Sequence, residues 1–290
     1  MDQATQLRNL IKRQEVVGHT AKVITVTSGK GGVGKSNVSI NLAIALSRLG
    51  QRVIVLDADF GLANIEVMLG IRPQYSLGDM LFRGKSVKEI ITSGPENIGF
   101  ISGGSGMEEL LHLDSYQINQ LSEKLYDLDE LADYIIIDTG AGISDALYSF
   151  IRSSDYTLLV ATPEPTSITD AYAVLKALSR QKEESDNIPA IYMVSNRVES
   201  KEEGKSLYHK LNVVVQKFLQ VEFLYAGAVL QDKYVMKAVM EQNPIMISYP
   251  SVPASKNIME LGRWIHEGTD NNEKKGGIRR LFSNFLKQRY

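Results

Sequence analysis

One ten-residue stretch restricts this chain more than any other. Ser28–Asn37 reads SGKGGVGKSN and fits the spacing G-x-x-x-x-G-K-[ST] at Gly29, Gly34, Lys35 and Ser36. It follows the apolar run Lys22–Thr27 and opens a stretch in which Val38, Ile40, Leu42, Ile44 and Ala45 mark a buried helix. Strand, glycine loop and helix in that order demand a tight backbone turn, which glycine permits. The turned N–H groups and the positive end of the helix then make a cradle for phosphate. The backbone of Gly29, Gly31, Gly32, Val33, Gly34 and Asn37 would line it. Lys35 would reach the β and γ phosphates, and the Ser36 hydroxyl would bind Mg²⁺.

The rest of the chain repeats the strand–helix rhythm. Apolar runs at Lys22–Ser28, Arg52–Asp57, Ile98–Ser102, Tyr134–Asp138, Tyr156–Ala161, Ile188–Ser195 and Gly227–Leu230 read as strands. Several are continuously Val- and Ile-rich, as strands covered on both faces are. Helical patterns lie between them at Ser36–Leu49, Ser115–Leu131, Ser144–Ser153, Ser167–Gln181 and Glu199–Leu219. The alternation predicts an α/β fold with a doubly wound, mainly parallel sheet and helices on both faces. It persists without a compositional break over 21–268, which reads as one domain. Residues 1–20 precede it. The polar, Gly-ended 269–277 reads as a linker to a terminal segment, 278–290.

Two of the strands end in acids. Val53–Leu56 runs into Asp57-Ala58-Asp59, and Tyr134–Ile137 into Asp138-Thr139-Gly140-Ala141-Gly142. Carboxyl ends of parallel strands point into the crevice where such folds bind ligands. Asp138 suits the Mg²⁺ shell, and Asp59, beside a phosphate loop, reads as a functional acid and a candidate for the same shell. An Asp in such a place also caps helices. The small residues after Asp138 suit a loop that responds to the γ-phosphate.

Composition excludes several chemistries. With no cysteine there is no disulfide, no thiolate-held iron–sulfur cluster and no thiol catalysis. The longest apolar runs fall far short of the roughly 20 residues of a spanning helix, and no signal peptide is visible. A cytoplasmic protein is expected. The formal charge is −2, but six of the 32 basic residues lie in 274–290, where there is no acid. The body is therefore acidic, and direct DNA binding is not expected. In the tail, Ile278, Leu281, Phe282, Phe285 and Leu286 share one helical face, flanked by Arg279, Arg280, Lys287 and Arg289. A short basic amphipathic helix of this kind is suited to lie in an anionic lipid surface.

Lys30 adds a second lysine five positions before Lys35. KGGVGKS resembles the deviant Walker A motif of the MinD/ParA family of dimerising P-loop ATPases. DADFGLAN (57–64) and DTGAG (138–142) resemble that family's other two motifs. VSNRV (194–198) is similar to its adenine-contacting pair, here Asn196 and Arg197, and 226–244 to the segment completing the base pocket. The resemblance spans about 20–268. It implies ATP/ADP with Mg²⁺ as cofactors and an ATP-bound homodimer closed face to face. Lys30 of each subunit would reach the phosphates of the other, and Asp59 would orient the attacking water. Hydrolysis would release the dimer, as in a molecular switch.

The N-terminal DQATQLR is similar to the DQAxxLR activator segment of the FlhG family, MinD-like regulators of flagellar placement and number. Asp2, Gln3, Ala4, Leu7 and Arg8 carry that likeness. It implies stimulation of the GTPase FlhF, with Gln3 offered to position the attacking water, and contacts to flagellar C-ring switch proteins. The tail and the missing cysteines agree. The alternative is division-site selection of the MinD type, which the tail fits equally well. Trp264, Ile258, Leu261 and Ile265 read as the packed face of a last helix. His19, His112, His209 and His266 lack metal-ligand spacing.

Overall fold

The computed structural model of the chain describes residues 20–59, 64–104, 127–180 and 189–268. Among them, eight strands form one sheet: β1 (Lys22–Thr27), β2 (Val53–Ala58), β3 (Thr92–Ser93), β4 (Gly99–Ile101), β5 (Tyr134–Thr139), β6 (Tyr156–Ala161), β7 (Ile191–Val198) and β8 (Phe223–Leu230). Their order is β3-β4-β2-β5-β1-β6-β7-β8. All pairings are parallel except β3 with β4. This is the doubly wound, mainly parallel sheet that the alternating pattern predicts.

Strand composition follows position. Every residue of β2, β5 and β6 is buried, as strands flanked by neighbours and covered by helices must be. The edge strand β8 is mostly half-buried. Period-two alternation sorts the side chains: Ile24 and Val26 of β1 face one layer, and Val23 faces the other.

The first layer is built on α1 (Lys35–Arg48) and α11 (Pro253–Gly268). From Val38 to Leu46 every residue of α1 is buried, because the sheet lies on one side of it and α11 on the other. Gly262 permits the second contact, since a Cβ there would lie 2.9 Å from the Ala45 Cβ. Ile258, Leu261 and Ile265 are buried and Trp264 is half-buried in this layer, the core role their spacing predicts. Trp264 packs edge-on against Tyr156 and Tyr192. The opposite layer contains α6 (Asp145–Ser153), α7 (Pro165–Arg180) and α8 (Lys201–Phe218).

The differences from the sequence pattern have local causes. β7 runs on to Val198 because a register shift around Arg197, at φ +58, lets pairing with β8 resume. β8 starts at Phe223 rather than at Gly227, where a second irregularity interrupts an otherwise continuous ladder. The helices α2 (Asn64–Leu69), α3 (Leu77–Phe82), α4 (Val87–Ile90), α9 (Lys233–Met240) and α10 (Ile245–Ser248) are too short to show a clear period. Two of them announce themselves differently, by capping boxes Ser76/Asp79 and Ser86/Glu89. Of the pattern at Ser115–Leu131, only α5 (Asp127–Leu131) falls within the described residues.

The α1–α11 contact is a direct test of this packing. Gly262→Val should lower the unfolding free energy by about 1–3 kcal/mol, measured by urea denaturation, because the added bulk meets Ala45.

Candidate functional site

The site forms where three strand ends meet. β5 lies between β1 and β2, so Asp138 sits beside Val26 on one side and Asp57 on the other. The glycine loop leaves β1, and Asp57–Asp59 leave β2. Residues some 80 to 110 positions apart in sequence are thus brought to one edge of the sheet by strand order alone.

The glycine loop is held by its neighbours. Gly32 and Gly34 take φ +76 and +96, conformations that favour glycine. At Gly34 space also decides: a Cβ would lie 2.5 Å from the Asn196 amide nitrogen. Gly29 touches the α7 backbone so closely that a Cβ would lie 2.2 Å from the Asp170 carbonyl. Val33 is buried, and its carbonyl accepts a 2.7 Å hydrogen bond from Asn196 Nδ2. Ser28 donates to the Lys30 carbonyl, and the Gly142 N–H donates to the Ser28 carbonyl, tying the loop to the segment after β5.

Lys35 opens α1 and is only 8% exposed. Burial pulls its ammonium below the usual lysine range, and the carboxylates of Asp138 and Asp59 oppose that shift. Burial pushes Asp138 up to about 6, against the neighbouring Ser36 and Ser39 hydroxyls and the Lys35 charge. Asp138 Oδ1 accepts from Ser39, while Oδ2 is buried with no hydrogen-bond partner among the described residues. An unpartnered buried carboxylate oxygen beside the Ser36 hydroxyl fits a hard divalent cation that prefers oxygen ligands. Ser36 and Asn37 are half-buried at the start of the same helix.

The two acids at the end of β2 do different work. Asp57 is buried and accepts the backbone N–H groups of Asp59 and Ile65, closing the first turn of α2. That is the capping role open to an Asp in this position. Burial and the nearby Asp138 push its pKa up to about 7. Asp59 is half-buried, with Oδ2 accepting from the Asn64 amide at 3.1 Å. It lines a cleft of about 190 Å³ with Thr139, Gly140, Gly142 and Leu147 among others. Asp59 therefore faces an open cleft, while Asp57 shapes the turn.

Lys30 does not enter its own glycine loop. Its ammonium lies 2.6 Å from Glu164 and 2.8 Å from the Thr166 hydroxyl, at the start of α7. Lys30 beside it holds Glu164 below the usual carboxylate range. Nothing in the sequence pattern points to Glu164 or Thr166 as its partners. Asn196 is buried under the loop and Arg197 is exposed at the bulge of β7.

A family model described as "ParA: NUBPL iron-transfer P-loop NTPase" matches residues 19–265. The chain belongs to the ParA family of P-loop NTPases. Iron transfer in that description finds no thiolate here, since this ParA-family chain has no cysteine. The antiactivator FleN of Pseudomonas aeruginosa is 40% identical over 82% of this chain and 83% of its own length. The flagellum site-determining protein YlxH of Helicobacter pylori is 33% identical over 99% of this chain and 98% of its own. These relatives belong to the FlhG branch of the family, the branch that the DQATQLR segment resembles. A solved structure, the MinC:MinD cell division complex of Aquifex aeolicus, matches with a TM-score of 0.66 at 25% identity, covering 89% of this chain and all of that one.

The activator residues Asp2, Gln3, Ala4, Leu7 and Arg8, the linker 269–277 and the tail residues Ile278, Leu281, Phe282, Phe285 and Leu286 lie outside the described residues. Among the described residues, no helix is long and apolar enough to cross a membrane.

The division of labour between the two acids predicts opposite phenotypes. Asp57→Ala should cost about 1–3 kcal/mol of stability, because two backbone donors lose their acceptor. Asp59→Ala should unfold within about 0.5 kcal/mol of wild type yet lose ATP turnover. Denaturation curves and phosphate release on both variants check this.

Proposed function

We propose that the chain is an ATP-dependent, dimerising ATPase of the FlhG type that cycles on and off membrane, regulates flagellar placement and number, and stimulates the GTPase FlhF. The observation that carries the flagellar part is the pair of flagellar relatives, more similar to this chain than the division-site MinD of known structure. YlxH matches nearly end to end, over 99% of this chain.

The geometry supplies a mechanism for the ATPase. Backbone N–H groups of Gly31–Lys35 would surround the phosphates, and the α1 N-terminus adds its partial positive charge. Lys35, nearly dry, would act on the β and γ phosphates with little screening by water. Ser36, Asp138 and Asp59 would hold Mg²⁺, which when bound neutralises phosphate charge. Asp59, held by Asn64, would orient a water for in-line attack. The new bond forms between water oxygen and the γ phosphorus as the β–γ bridge breaks, leaving ADP and inorganic phosphate. Asn196 spends an amide N–H on Val33, so its carbonyl oxygen is the atom left to accept from the exocyclic amine of adenine.

The resting contact of Lys30 supports a site completed in trans. Exposed ion pairs contribute only about 0–1 kcal/mol, so Glu164 can yield Lys30 when a second copy presents its phosphates. The switch then acts through the ends of the chain. One amphipathic tail binds lipid weakly, with about 1 kcal/mol from each nearby basic residue. Two tails on one dimer gain by effective concentration. Membrane residence thereby follows the nucleotide. Residues 1–20 would be offered to FlhF, and C-ring proteins would bind the body.

Adding the full-length ATP-bound protein to FlhF tests the flagellar reading. GTP turnover by FlhF should rise, and Gln3→Ala should remove the stimulation while leaving ATP hydrolysis intact. No stimulation by the wild-type protein would reject the activator role and favour division-site selection.

A further inference from the structure

We infer that Ser39 is a positioning residue for the divalent cation: its hydroxyl pins one oxygen of Asp138 and so keeps the other aimed into the site. This rests on the reading of Asp138 as part of the cation shell. Ser39 lies in α1, three residues after Ser36, and is fully buried. Its Oγ is 2.8 Å from Asp138 Oδ1 and 3.1 Å from the Lys35 carbonyl. A serine hydroxyl has a single proton to give. The carboxylate is the nearer acceptor and the charged one, so the proton goes there.

That hydrogen bond has a consequence for the other oxygen. The terminal torsion of an Asp is soft, with a broad energy profile. Fixing Oδ1 fixes Oδ2 as well, and Oδ2 is the buried atom without a hydrogen-bond partner among the described residues. Residues three apart share a helix face. The hydroxyl that would bind the cation and the one that aims the acid are therefore delivered together by one turn of α1. The β5 acid reaches that turn because β5 pairs directly with β1, whose loop starts the helix. The Ser39 hydroxyl is buried and its side-chain contact is Asp138, so its influence passes through that acid. Outer-shell partners of metal ligands typically set metal affinity by about 10–100-fold.

The test is a Mg²⁺ titration of fluorescent ADP binding to the full chain, for wild type, Ser39→Ala and Ser39→Cys. Cysteine keeps the volume and offers only a weak donor, so a loss shared by both variants is not a cavity effect. Both should bind ADP in EDTA as wild type does and need about tenfold or more Mg²⁺ to reach the tightly bound state. An unchanged Mg²⁺ midpoint overturns the inference. So does an equal loss of affinity in EDTA and in Mg²⁺, which would make Ser39 a structural support of the loop. If the alanine variant does not fold, the cysteine variant decides. A wild-type protein indifferent to Mg²⁺ would instead sink the metal reading of Asp138, and the inference with it.

Discussion

A buried charge cluster at the end of the central strand governs the architecture around it. Asp138 is wholly buried, with Lys35 and the acids Asp57 and Asp59 as its charged neighbours. Ionised groups in such a place are costly unless paired or hydrogen-bonded. The fold meets that demand by bringing α1 across the end of β5, so that Lys35 offsets the acids and Ser39 donates to Asp138. α1 can lie there only if its far side is sealed, and α11 seals it through the close approach at Gly262. The last helix of the domain and its first loop are parts of one arrangement.

That arrangement explains which features were legible. The glycine loop was readable because strand, loop and helix are contiguous, and covalent neighbours need no tertiary knowledge. The central strands were readable because burial on both faces leaves an uninterrupted Val/Ile signal. The strand order was not, since it depends on how the helices pack. Sequence left two readings open for an acid at the end of β2, ligand or helix cap. The structure assigns the cap to Asp57, through the Asp59 and Ile65 amides, and sets Asp59 in the cleft. The short helices escaped because one or two turns show no clear period, although Ser76/Asp79 and Ser86/Glu89 carried the capping signature. Glu164, Thr166 and Ser39 escaped for a different reason. Their importance lies in what they touch, more than 90 residues away in sequence.

The loop is fastened on three sides: to α7 through Gly29, to β7 through Asn196, and to the segment after β5 through Gly142. Each fastening joins the phosphate site to an element that could report its state. Lys30 stands apart from this frame. Its partners are exposed, so its resting position is held weakly compared with the buried groups around it. A rigid cradle with one loosely held cation at its rim suits a site that waits for a second copy.

The most direct test of that claim is subunit complementation. Lys30→Ala and Asp59→Ala proteins are assayed for ATP turnover separately and mixed. A lysine acting in trans predicts that each is silent alone and that the mixture is active, because the mixed dimer keeps one site with Asp59 intact and Lys30 supplied by its neighbour. Full turnover by Lys30→Ala alone, or a mixture as silent as its parts, would contradict it.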